Sequence, residues 1–233
     1  MAESSNGARL VLFDVDGTLL SAGRAARDSI LAALAEVLGW EGPSDGNDFS
    51  GKTDPQILRE LVMDSVGRPR FEAALEAVLD RYVEELSRRL SPEAVVVKPG
   101  VPALLNRLAD EPRVTLGLLT GNIARGARLK LEPTGLNRYF RFGAFGDDSA
   151  DRYCLPAIAV ARAREATGRH FDGGSVVIIG DSVHDVACGR SLGARAIAVA
   201  TGPTPAERLH AERPDAFFAD FSDVEAAREA ILR

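Results

Sequence analysis

Two kinds of hydrophobic pattern follow one another along this chain and divide it into a helical stretch and a stretch of mixed helix and strand. The first apolar run, Leu10-Val11-Leu12-Phe13, is short and continuous and gives way at once to Asp14-Val15-Asp16-Gly17-Thr18. Such a run reads as a buried parallel strand ending in a loop. Over residues 21–38 the spacing changes. Ile30, Leu31, Leu34, Val37 and Leu38 share one helical face, and Gly39 stands where a C-cap would. A second helix is predicted from Thr53-Asp54-Pro55, where Thr53 or Asp54 can cap, Pro55 suits the first turn, and Ile57, Leu58, Leu61 and Val62 form the stripe. The third is the longest, with Phe71, Leu75, Val78, Leu79, Tyr82, Val83, Leu86 and Leu90 on one face and Glu and Arg on the other.

Beyond Lys98-Pro99-Gly100 the pattern predicts helix 101–108, strand 114–119, helix 155–167 and strands 176–179 and 197–200. Alternation of this kind implies a parallel sheet. One strand before the helices and several after them predict an α/β core, residues 1–19 and 98–233, interrupted by an all-helical cap, residues 20–97.

Composition narrows the classes. Hydrophobic residues make up 45% and charged residues 27% of 233 positions, which excludes a disordered or fibrous chain. The net charge of −6 disfavours a nucleic-acid partner. No apolar run approaches the ~18 residues of a membrane span, and Met1 to Arg9 lacks the apolar stretch of a leader. The two cysteines, Cys154 and Cys188, form no C-x-x-C, so neither a disulfide framework nor a thiolate metal site is expected. A cytoplasmic protein with a small-molecule partner fits best, as monomer or homodimer.

The chemistry sits at the predicted strand ends. Asp14 and Asp16 are two apart, so in extended geometry both project to one side. Gly17 allows a sharp turn and Thr18 can hold the loop. Strand 114–119 ends in Thr120-Gly121-Asn122, a hydroxyl followed by backbone N–H groups suited to a phosphate. Strand 176–179 ends in Gly180-Asp181-Ser182-Val183-His184-Asp185, adding two carboxylates. Open α/β sheets bind ligands beyond the carboxyl ends of their strands. Four carboxylates gathered there require cations, and oxygen-only ligands select a hard ion such as Mg²⁺, which usually binds together with substrate phosphate.

Taken together, Phe13-Asp14-Val15-Asp16-Gly17-Thr18-Leu19, Leu119-Thr120-Gly121-Asn122 and Gly180-Asp181-Ser182-Val183-His184-Asp185 resemble motifs one, two and four of the haloacid dehalogenase-like hydrolases. The position of the helical stretch is similar to that of the cap in the phosphoglycolate phosphatase and β-phosphoglucomutase branch. The resemblance implies a Rossmann-like core and a Mg²⁺-dependent phosphatase acting on a small phosphorylated metabolite. It makes Asp14 the nucleophile and Asp16 the acid and base. Asp14, Asp181 and the backbone carbonyl of Asp16 would hold Mg²⁺, with Asp185 orienting that shell. Thr120, Gly121 and Asn122 would hold phosphoryl oxygens, and Lys52, in Gly51-Lys52-Thr53-Asp54, would face the substrate from the cap. A phosphosugar mutase is the alternative, since it uses the same residues and returns the phosphoryl group to sugar.

The resemblance breaks at the third motif, which normally supplies a Lys beside the nucleophile. Lys130, in Leu129-Lys130-Leu131, lies soon after motif two, too early for the role, and is expected to be idle. Arg152, ahead of the helix that begins near Leu155-Pro156, is expected to supply the missing charge. His184 is expected to be a loop residue rather than a ligand, and Trp40 to pack between cap elements.

Overall fold

The computed structural model describes residues 7–42 and 49–233, so residues 1–6 of the expected core and 43–48 of the expected cap lie outside it. Six parallel strands form the sheet: β1 (Arg9–Phe13), β4 (Val114–Leu119), β5 (Gly143–Ala144), β6 (Val176–Gly180), β7 (Arg195–Val199) and β8 (Ala216–Phe218), in the spatial order β5-β4-β1-β6-β7-β8. The central strand β1 pairs with β4 through Phe13↔Leu118 and with β6 through Phe13↔Ile179.

A strand covered on both faces cannot alternate apolar with polar residues, and β1 does not. Val11 and Phe13 face a cluster built on α4 (Val101–Ala109), α5 (Ala124–Leu131) and α9 (Val224–Leu232), through Leu104, Leu108, Leu131 and Ile231. Leu10 and Leu12 face the other layer, where Leu155, Ala159 and Ala163 of α6 (Leu155–Thr167) meet Cys188 of α7 (Val183–Leu192). A short α8 (Ala206–Ala211) flanks the β7–β8 edge. Each fully buried Leu, Ile or Phe contributes about 1.5–3 kcal/mol. The chain is thus a Rossmann-like α/β protein, with β4 and β5 wound to one side of β1 and β6, β7 and β8 to the other. The crevice beyond the carboxyl ends of β4, β1 and β6 is the topological switch point.

Between β1 and β4 the chain builds α1 (Ala25–Leu38), α2 (Asp54–Val66) and α3 (Arg68–Arg89), which share a separate core of Ile30, Leu34, Leu58, Phe71, Tyr82 and Leu86. Trp40 is buried in this cluster. Gly39 ends α1 at φ 64°, in the left-handed conformation of a C-cap. Thr53 caps α2, its hydroxyl accepting the Gln56 N–H at 3.2 Å. One feature was not visible as periodicity: the two ends of the insert pair as an antiparallel ribbon, β2 (Leu20–Ser21) with β3 (Val96–Val97). Two-residue strands carry no alternation to detect. Among the described residues, no helix is long and apolar enough to cross a membrane.

Candidate active site

The site begins where β1 runs out. The Asp14 N–H still donates to the Ile179 carbonyl at 3.0 Å, so the carboxylate leaves the sheet from a fixed backbone. Gly17 then turns the chain at φ 86°, and a Cβ there would lie 2.4 Å from an Asp181 oxygen. Only glycine lets this turn approach Asp181 so closely. Thr18 closes the contact, its hydroxyl donating to Asp181 Oδ1 at 2.8 Å.

At the end of β6, Ser182 caps α7 in a reciprocal box with Asp185. The Asp185 N–H donates to Ser182 Oγ at 3.3 Å, and the Ser182 N–H donates to Asp185 Oδ2 at 2.9 Å. The Ser-x-x-Asp spacing carries this signal, yet the segment reads as a loop beside the motif it belongs to. His184 therefore sits in the first turn of α7, not in a loop, with its Nδ1 3.2 Å from the Tyr153 hydroxyl.

Asp14, Asp181 and Asp185 are all buried, and each offers an oxygen within 4.8 Å of the others. Arg152 answers part of that charge. It sits in a one-turn helix capped by Asp151, whose carboxylate accepts the Tyr153 N–H at 3.0 Å. One Arg152 nitrogen, Nη2, lies 3.0 Å from Asp14 Oδ1 and also bonds Asp185 Oδ1. The guanidinium thus bridges two carboxylates through one nitrogen. Burial opposes the guanidinium charge, but Asp185 and Asp14 hold its pKa above the ordinary value.

The cluster is still short of positive charge. Burial, helped by Asp185 and Asp16, raises Asp14 to about 7 against the pull of Arg152. Asp181 is pushed well up by burial and then by Asp14 and Asp185. Three buried carboxylates sharing one guanidinium fit a divalent cation, and all-oxygen donors favour a hard one. Because Asp14 ionises more easily in the unfolded chain, near 4, its stabilising contribution is complete below that value and lost as pH rises through about 7. A dication held by these carboxylates would offset the loss. The expected result is that Mg²⁺ raises the melting temperature of EDTA-treated protein more at about pH 8 than at about pH 6; equal shifts would contradict it.

The Asp16 carboxylate stands apart from this trio. Its Oδ2 accepts from Asn122 Nδ2 at 2.7 Å and from Lys130 Nζ at 2.6 Å. Lys130, expected to be idle, is instead 2% exposed and inside the site. Distance in sequence from the Asp181 segment says nothing about distance from Asp16, which Lys130 reaches from α5. A usable signal existed. The buried face of α5 is Gly126, Ala127, Lys130 and Leu131, so Lys130 falls at the helical repeat of two small residues.

Thr120 is fully buried and holds Asn122, its Oγ1 accepting from Nδ2 at 2.8 Å. The Gly121 carbonyl accepts the Asp54 N–H at 2.8 Å, and a Cβ on Gly121 would lie 2.0 Å from the Lys52 carbonyl, so the insert is seated directly on this loop. The Asp54 carboxylate accepts the Ile123 N–H at 2.9 Å. Lys52 lines the cavity, and its ammonium pairs with Glu60 at 2.5 Å. Asp14, Asp16, Thr120, Asn122, Lys130 and Asp181 all border one cavity of about 600 Å³, whose far wall includes Ile30, Phe49 and Ile57 of the insert.

Comparison with known proteins agrees with this geometry. The family model for haloacid dehalogenase-like hydrolase matches residues 11–199. A protein described as probable phosphatase IndB of Dickeya dadantii is 26% identical, over 96% of this chain and 95% of that one. Phosphoglycolate phosphatase 1 of Pseudomonas aeruginosa is 28% identical, over 88% of this chain and 74% of that protein. The crystal structure of β-phosphoglucomutase from Clostridium difficile superposes with a TM-score of 0.73 at 14% identity, covering 96% of this chain and 97% of that one. The chain belongs to the haloacid dehalogenase-like hydrolases, and among its relatives are phosphoglycolate phosphatases. Its activity class is that of a phosphatase.

Proposed function

We propose that the protein hydrolyses a small phosphomonoester in two steps through an aspartyl-phosphate on Asp14. The observation that carries this is a division of labour between two carboxylates at one strand end. Asp14 is buried against Arg152 and the other acids, while the Asp16 side chain remains 41% exposed to the cavity and is held by neutral and cationic donors. In the first step an Asp14 oxygen bonds to phosphorus as the bond from phosphorus to the leaving oxygen breaks, and Asp16 gives its proton to that oxygen. In the second, water attacks the phosphorus of the acyl phosphate, Asp16 takes its proton, and inorganic phosphate leaves with Asp14 restored. Thr120 and the backbone of Gly121 and Asn122 position the phosphoryl oxygens, a task suited to a loose transition state.

Mg²⁺, held by Asp14, Asp181 and the Asp16 backbone carbonyl with Asp185 orienting them, would neutralise charge on the transferring group. Arg152 bonds both Asp14 and Asp185 and holds them together. The insert acts as a cap in this reading, because its loop 51–54 lies against Gly121 and encloses the cavity.

The test is phosphate release from a panel of phosphomonoesters that includes phosphoglycolate and sugar monophosphates, with Mg²⁺ and with EDTA. Release that requires Mg²⁺ is expected. Isomerisation of a sugar phosphate without release would instead make the protein a mutase, and release in EDTA would remove the metal from the account. Lys52 belongs to the same proposal. Lys52→Ala is expected to raise KM for the preferred substrate several-fold while leaving p-nitrophenyl phosphate nearly unaffected; equal losses on both would place Lys52 in the chemistry.

A further inference from the structure

Lys130 is an ammonium buried on the inward face of α5, where a helix usually carries apolar residues. Withdrawing such a charge from water costs several kcal/mol, and apolar replacements of buried ion pairs are often neutral or stabilising. Its contacts show what the charge does. Lys130 Nζ donates to Asn122 Oδ1 at 2.5 Å and to Asp16 Oδ2 at 2.6 Å. An ammonium has no acceptor, so the Asn122 amide can meet it only with its oxygen. That fixes Nδ2 toward Asp16 Oδ2, at 2.7 Å, and Thr120 Oγ1, at 2.8 Å. Both donors therefore pin the same oxygen of Asp16, and none of these bonds uses Oδ1.

The surroundings close the clamp from behind. Tyr82 of α3 and Asp54 of α2 are buried, and both their pKa values respond to the charge on Asp16. The Lys130 charge opposes the upward shift that burial gives Asp54. The Tyr82 hydroxyl makes no hydrogen bond among the described residues, and it would lie 3.5 Å from a Cβ on Gly126, one turn before Lys130. Asp16 thus has a dry end anchored by Lys130 and Asn122 and a wet end in the cavity.

We infer that Lys130 is a positioning residue for Asp16: with Asn122 it holds Oδ2, so that Oδ1 faces the leaving-group oxygen. This rests on the acid and base role proposed for Asp16. A residue that aims an acid should matter in proportion to how much the leaving group needs a proton. Benzyl and p-nitrophenyl phosphates are similar in size but differ in that need, since benzyl alcoholate is a poor leaving group and p-nitrophenolate a good one. The readout is kcat/KM, which reports steps only through alcohol release.

Asp16→Asn is expected to lose about 10²-fold or more on benzyl phosphate and only a few-fold on p-nitrophenyl phosphate. Lys130→Met is expected to repeat that selectivity, at roughly tenfold on benzyl phosphate. Lys130→Gln, which keeps a donor without the charge, provides the same comparison should the Met variant fail to fold. Equal losses on both esters, or none, in the Lys130 variants beside a selective Asp16→Asn would overturn the inference and leave the role of Asp16 intact. An unselective Asp16→Asn would overturn that role, and the inference with it.

Discussion

Asp14→Asn is expected to lower kcat by at least about 10⁴-fold while leaving the melting temperature unchanged or raised. An amide has nearly the carboxylate's shape and keeps an oxygen for the Arg152 N–H, which lies 3.0 Å from Asp14 Oδ1. It cannot form an acyl phosphate. It also removes one negative charge from a cluster in which burial already raises Asp14 to about 7, so the fold has no reason to weaken. Residual turnover within about tenfold of the natural protein would mean that water attacks phosphorus directly.

Arg152→Ala is the second large effect, and it falls on stability as well as rate. Among the described residues Arg152 is the only cation paired with Asp14 or Asp185, both of which are buried. Breaking a buried pair by removing one partner costs about 3–5 kcal/mol, because the remaining charges stay desolvated. The expected result is a clear fall in melting temperature in EDTA, partly recovered by Mg²⁺, and a kcat at least about tenfold lower with Mg²⁺ present. Arg152→Lys should recover part of both, since the charge is kept but the reach and planarity of the guanidinium are not. A silent Arg152→Ala would leave the third-motif position to another residue.

The strand ends were legible because buried parallel strands are continuous apolar runs, and polar residues that follow them stand at the rim of the sheet. This is how Asp14, Thr120 and Asp181 come to one crevice from three distant segments. Strands β5 and β8, with two and three residues, carry too little pattern to mark, and the β2–β3 ribbon is shorter still. Lys130 was misjudged for a different reason. Its place soon after the motif-two loop reads as too early for the third motif, and only packing shows that α5 turns this face toward Asp16. Asp54 has the same history: capping chemistry suggested it as an alternative to Thr53, but Thr53 caps and Asp54 reaches Ile123 of the core. Local rules read local bonds, and these two residues make theirs across 114 and 69 positions.

The most direct test of the central claim is acid quenching during turnover of a phosphomonoester, followed by mass spectrometry of the peptide that carries Asp14. The account predicts one phosphoryl group on Asp14, enriched in Asp16→Asn, where loss of the base slows hydrolysis of the intermediate, and absent in Asp14→Asn. Turnover with no phosphoryl adduct on that peptide in the natural protein or in Asp16→Asn would contradict it.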